Sequence, residues 1–324
     1  RQALQPGEAM LWYSIAPWQD LYDEFGGGAW VLAATRDQVR VHRLSTRVEL
    51  DAQVSMLAGL LQRRDARPAT WTPAASRLGH TLLAPALASL PASTARLVIV
   101  SDGPLHRLPF EALRHDDDPR TLGERFEVAL VPSATVWLRL REASPAPPGP
   151  TLVLADPDVP RGSPDGDLRL DPLPWARREA RAIGRLVGPH RGTVHLGAAA
   201  SEHRMKEAAS GVRIAHLAAH ARADSAFPDR SAIFLTPGSD HEDGWLQPRE
   251  IATLDLRGAL VVLSACESAG GALIAGEGPL SLARAFFAGG AGAVVATRWP
   301  LRDDDAAFMM DRFYRALASG ASAG

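Results

Sequence analysis

Cysteine is nearly absent from this chain: Cys266 is the only one in 324 residues. No internal disulfide can form, so the fold does not depend on an oxidising compartment, and a cytoplasmic location is expected. Lysine is scarce beside arginine, and with abundant alanine this points to a GC-rich, bacterial genome. No apolar run approaches the about 18 residues of a membrane-spanning helix, and the opening residues lack both an initiator methionine and the apolar core of a signal peptide. With small, flexible residues closing the other end, the chain reads as a piece of something longer. A net charge of −2 leaves no electrostatic footprint for nucleic acid or an anionic membrane. The phosphate-loop pattern G-x-x-x-x-G-K-[ST] is missing although Gly270, Gly271, Gly276 and Gly278 cluster, which argues against nucleotide binding. No repeat of fixed period is present.

What is there is apolar and ordered. Hydrophobic residues make up 46% of the chain, enough for one large or two ordinary domains. Residues 28–44 read as a hairpin, followed by helices near 50–63 and 74–90, a strand over 97–100 ending in Ser101-Asp102-Gly103-Pro104, and a helix from about Ser133. Residues 143–150, rich in proline and small side chains, form the best linker. Beyond it strands (151–155, 193–196, 212–218, 231–235, 259–264, 292–297) alternate with helices (174–187, 201–209, 278–288, 304–318). Continuously apolar strands alternating with helices predict an α/β fold with a mostly parallel sheet covered on both faces, whose functional residues gather past the carboxyl ends of its strands.

Two strand ends carry chemistry. Ile214-Ala215-His216-Leu217-Ala218-Ala219-His220 closes one run, and Leu263-Ser264-Ala265-Cys266 closes another. A thiol hydrolase needs a nucleophilic sulfur, a group to protonate the departing amine, and donors for the oxyanion. Cys266 supplies the first, His220 the second, and the backbone N–H groups of Ala221 and Cys266 the third. Read by residue type alone, Cys266 and His220 also fit packed core residues. His216 and His220 do not read as a metal pair, since they fall on a strand and no Glu follows His216 as in H-E-x-x-H. His216 reads instead as a packed residue supporting the site. No metal or other cofactor is called for.

Taken together these fragments resemble the paired signatures of CHAT-domain cysteine peptidases, relatives of caspases and separases. The similarity runs on through Gly276-Glu277-Gly278-Pro279-Leu280 and Gly292-Ala293-Val294-Val295-Ala296-Thr297-Arg298-Trp299-Pro300, and backwards through Ser101-Asp102-Gly103-Pro104 with Leu108-Pro109-Phe110-Glu111-Ala112-Leu113, Val131-Pro132-Ser133, Leu154-Ala155-Asp156-Pro157 and Leu173-Pro174-Trp175. The resemblance implies a caspase-like α/β/α sandwich, with an inactive, degenerate caspase-like half over residues 1–146 and a catalytic half over 147–324, and it implies that His220 and Cys266 form the dyad. The family commonly has Gly after the catalytic His, where this chain has Ala221. Candidate substrate-pocket residues are Asp156 and Asp303, and an acid at Asp303 resembles the separase-type pocket, implying cleavage after Arg or Lys. Asp303-Asp304-Asp305 also reads as an ordinary acidic helix start. Glu267 and Glu277 read as structural. The polar segments 160–172 and 221–246 leave strands at the expected catalytic edge, where substrate loops would sit, and read either as self-cleavage sites or partner-ordered elements or as ordinary surface. The resemblance further implies a protein substrate, conditional activation by a sensor module or partner such as helical repeats outside these residues, and service in defence or cell death. Two alternatives remain: a non-catalytic interaction module, and acyl transfer or amidase action on a small molecule.

Overall fold

The structure, a computed structural model, describes residues 1–15, 28–63, 65–115, 118–143, 148–159, 170–222, 224, 227–238, 242–264, 278–297 and 301–321. The chain divides into two compact units, one ending at Glu142 and the other beginning at Ala143.

In the amino-terminal unit alternation of apolar and polar residues builds a mixed sheet. Strand β1 (Glu8–Ile15) pairs antiparallel with β2 (Ala29–Ala34), which pairs antiparallel with β3 (Val39–Arg43). On its other side β1 runs parallel to β4 (Arg96–Val100), and β4 parallel to β5 (Glu127–Val131). Leu11, Tyr13, Val31, Leu97 and Ile99 point to one face, where helices α1 (Arg47–Leu61) and α2 (Pro68–Leu87) cover them. Helix α1 starts at Thr46, whose hydroxyl accepts from the Glu49 amide while the Glu49 carboxylate accepts from the Thr46 amide. A short helix, α3 (Leu122–Arg125), precedes β5, and α4 (Ala134–Glu142) lays Trp137 against Met10, Val98 and Val100 on the opposite face. The hairpin expected over 28–44 is present as β2–β3.

The carboxy-terminal unit is a parallel sheet in the order β13-β12-β8-β6-β7. Its strands are β6 (Thr151–Ala155), β7 (Gly192–Leu196), β8 (Ile214–Ala218), β12 (Leu260–Leu263) and β13 (Ala293–Ala296). Helices α5 (Pro174–Val187) and α9 (Asp303–Ala318) cover one face, packing Ala180, Ile183 and Met310 on Val153 and Val262. Helices α6 (Glu202–Ala208), α7 (Pro248–Ile251) and α8 (Gly278–Ala288) cover the other, with Met205, Ile251 and Phe286 on Leu154, Leu217 and Val261. Burial on both faces is why these strands are apolar throughout. A small antiparallel sheet of β9 (Ala221–Arg222), β10 (Ala232–Phe234) and β11 (Trp245–Leu246) is inserted between β8 and α7. The expected parallel sheet between two helical layers is therefore what this unit contains. No helix among the described residues is long and apolar enough to cross a membrane.

Candidate active site

The carboxyl ends of β6, β8 and β12 lie side by side. Leu217 of β8 is in register with Leu263 of β12, and Ala218 with Ala155 of β6. The Ser264 amide continues the ladder to the Leu217 carbonyl at 3.0 Å, and the Asp156 amide to that of Ala218 at 2.9 Å. His220, Ser264 and Asp156 thus leave the same edge of the sheet from three neighbouring strands. Cys266, with Glu267 and Glu277, lies outside the described residues, as does 160–169 of the first candidate loop. Ser264 is the last described residue before it.

His220 is buried, and its Nε2 lies 2.7 Å from the carbonyl oxygen of Asp171. A carbonyl only accepts, so Nε2 carries the proton and the neutral ring bears its lone pair on Nδ1. Burial pushes the imidazole below its ordinary pKa. The Asp171 carbonyl and the charges of Asp156, Asp171 and Asp303 pull the other way without overcoming it. The ring is therefore poised to be neutral near pH 7, with an acidic surround that favours the imidazolium when a proton arrives.

Ala221 opens β9. The His220 carbonyl accepts from the Phe234 amide of β10 at 2.9 Å. The peptide linking His220 to Ala221 is trans, so the Ala221 N–H points the opposite way, off the outer edge of β9. Asp156 is the one non-glycine among the described residues with positive φ. Ala221 therefore needs no glycine-like conformation, and replacing the family's usual glycine strains nothing here.

Asp156 sits at φ 46° just past β6, a left-handed conformation that Asp tolerates better than most residues. Its carboxylate accepts from the Leu173 amide at 2.7 Å and pairs with Arg177. Asp303, the first residue of α9, reaches the start of α5, where its two oxygens accept from the Trp175 amide at 2.8 Å and the Ala176 amide at 3.1 Å. Burial raises the Asp303 pKa; those two amides counter it, and the charges of Glu179 and Asp156 add to it. Asp303 thus caps a neighbouring helix as well as opening its own.

Beneath these ends lies a network that the sequence hinted at only through His216. His216 is fully buried. Its Nδ1 is 3.1 Å from the Tyr314 hydroxyl, and its Nε2 is 2.6 Å from Glu179 Oε1, close but off the line of a good hydrogen bond. Ser264 Oγ donates to Glu179 Oε2 at 3.1 Å. Burial pushes the Tyr314 phenol far above its ordinary pKa, which keeps it a donor. Among the described residues no group of three or more His, Cys, Asp or Glu is arranged to hold a metal ion.

Comparison with known proteins matches the CHAT domain model over residues 72–324. The chain belongs to the CHAT domain family, and its fold is caspase-like. Tetratricopeptide repeat protein 28 of mouse and of human are each 26% identical over 273 residues, covering 70% of this chain and 11% of their own length. The chain spans about a ninth of the curated relatives it matches.

Proposed function

We propose that this protein is a cysteine endopeptidase with His220 and Cys266 as its dyad. The observation that carries this reading is that His220, held through Nε2 by the Asp171 carbonyl, leaves β8 beside the exit of β12, the strand that leads to Cys266. In the reaction the Cys266 thiol proton passes to Nδ1 of His220 and the thiolate adds to the substrate carbonyl carbon. The Ala221 N–H, facing off β9, and the Cys266 N–H receive the oxyanion. The C–N bond then breaks as the imidazolium gives its proton to the departing amine. Water, deprotonated by His220, hydrolyses the thioester and returns the thiol.

Cleavage after Arg or Lys is supported by the carboxylates that act on His220. Asp156 is already matched by Arg177, so Asp303 is the stronger partner for a substrate cation. Its two amide contacts leave acceptor capacity on the carboxylate, which offers about four lone-pair sites. Control by a sensor module, such as the repeats that give the mammalian relatives their name, fits the small share of those relatives that this chain spans. A single thiol fits a reducing, cytoplasmic setting, and the arginine-rich, lysine-poor composition fits a bacterial source. By the same resemblance, the amino-terminal unit is a degenerate copy of the catalytic one.

A peptide library with mapping of new termini tests this reading, using Cys266→Ala as control. Cleavage after Arg by the wild type alone is expected. Cleavage after Asp and not Arg discards the pocket assignment. If no library member is cut and Cys266 is no more reactive than an ordinary thiol, the chain is the non-catalytic module instead.

A further inference from the structure

Four polar side chains converge in the apolar layer between the sheet and helices α5 and α9: Glu179 from α5, His216 from β8, Tyr314 from α9 and Ser264 at the end of β12. All four are buried. Their neighbours, Val153, Ala180, Val262 and Met310, are apolar. Stability alone does not call for such a group, because a buried polar network is often no better than well-packed apolar side chains of similar volume, and it is worse when any member lacks a partner. Its connections are specific. His216 stands four residues before His220 on the same chain segment, and Ser264 stands two before Cys266. Glu179 rides on the helix whose first turn is fixed by Asp303, and Tyr314 on the helix that Asp303 opens. The network therefore joins the elements that lead to His220, Cys266 and Asp303.

We infer that Glu179, His216, Tyr314 and Ser264 are positioning residues that hold the exit of β12, through the Ser264 hydroxyl, in the register that presents the Cys266 thiol to His220. This rests on the dyad reading above. The ordered chain of donors runs from the Tyr314 O–H to His216 Nδ1, from His216 Nε2–H toward Glu179 Oε1, and from the Ser264 O–H to Glu179 Oε2. Glu179 is the hub. It is the member that meets both strands, accepting from Ser264 at the end of β12 and lying 2.6 Å from Nε2 of His216 in β8, so it ties β8 and β12 to each other at the edge where their chains depart. None of the four touches substrate; their effect reaches the chemistry through the thiol.

The probe is iodoacetamide, which reads one site because Cys266 is the sole cysteine. Its rate at pH 7 on the folded 324-residue chain is compared with that on the chain unfolded in urea. For an activated thiol the folded rate is expected to exceed the unfolded one by about tenfold, from the larger thiolate fraction. Ser264→Ala and Glu179→Gln are expected to lose most of that advantage while circular dichroism stays native, Ser264→Thr to keep it within about twofold, and Tyr314→Phe to lose less than Ser264→Ala. If Ser264→Ala does not fold, Tyr314→Phe, which removes one oxygen, decides in its place. An intact advantage in the folded Ser264→Ala protein, or in Tyr314→Phe where that stands in for it, overturns the inference and leaves the dyad standing. A wild-type chain that reacts no faster folded than unfolded overturns both.

Discussion

The two units hold their buried charge in different parts of similar sheets. In the amino-terminal unit Glu8 is the buried acid among the described residues, and it stands at the beginning of β1, at the sheet's amino edge. There it is paired with Arg96, the first residue of β4, and with Arg141 of α4. Arg96 reaches on to Glu127, the first residue of β5. At the opposite edge the Asp102 carboxylate accepts from the Ile15 amide at 2.7 Å and Ser101 meets His106 at 2.9 Å, so those polar groups close the unit's own loops. In the carboxy-terminal unit Asp156, Glu179, His216, His220 and Ser264 are all buried, either at the carboxyl edge or just beneath it. A clamp at the amino edge ties strands together far from where a parallel sheet does chemistry; a network at the carboxyl edge orders the residues that leave it. The comparison teaches that position along the strand, more than burial, separates the charges that clamp strands together from those that gather at the proposed site.

That contrast can be broken in several ways. The largest effect is expected at His220: His220→Ala should lower peptide cleavage by about 10²-fold or more, as loss of a general acid–base does. Retention of wild-type turnover would remove the carboxyl edge from the mechanism. Next comes Glu8→Ala, which leaves two arginines facing a buried vacancy and should destabilise the amino-terminal unit by about 3 kcal/mol in urea unfolding. Cys266 alkylation at pH 7 should not change in that variant, and a parallel fall in reactivity would erase the distinction between the units. Asp303→Asn should reduce cleavage after Arg by about tenfold. It keeps one oxygen to accept from the α5 amides, so stability should drop by no more than about 1 kcal/mol.

Acid should sharpen the comparison. Burial lowers the His220 pKa, so the unfolded chain takes up the proton first, and this contribution to stability is lost as pH falls below the ordinary value of 6.5. Burial by itself raises the Glu8 pKa, but the Gln5 amide, Arg96 and Arg141 outweigh it and hold the group below its ordinary value. That stability is present above pH 4.5 and lost only as pH falls further. Subtracting the unfolding free energy of His220→Asn from that of the wild type across pH 4–8 should give a difference that declines below about pH 6.5. A flat difference would mean that the ring is not desolvated. The smallest effect is expected for Ala221→Gly: because Ala221 has no positive φ, cleavage should stay within about twofold of wild type, and stability should fall by about 0.5 kcal/mol, the cost of glycine's extra freedom in a strand.

Much of the fold was legible because it is written in local pattern. Strands β12 and β13 are unbroken apolar runs, β6 and β8 are interrupted only by Thr151 and His216, and α5 and α9 alternate apolar and polar faces, so their places were evident to within two residues. Strand β1 was not expected, although Ala9, Leu11, Tyr13 and Ile15 alternate toward the core. Strand β5 is half-buried throughout and carries no strong periodicity, and β9 and β11 are two residues each, too short to show any.

The candidate site divides in the same way. His220, Asp156 and Asp303 stand at strand or helix ends; His220 and Cys266 were named from residue type and from the family resemblance, Asp156 and Asp303 from the resemblance. The partner of His220 is a backbone carbonyl 49 residues away, and a carbonyl has no residue type to recognise. Glu179 and Tyr314 sit on amphipathic helices where an acid or a phenol normally faces water. Only the packing of α5 and α9 across the sheet turned those two side chains inward onto His216. Short-range periodicity and residue chemistry fixed which elements exist and which groups can react. The partners those groups found depended on which helix faces the sheet buried, because burial is decided by contacts between segments far apart in the chain.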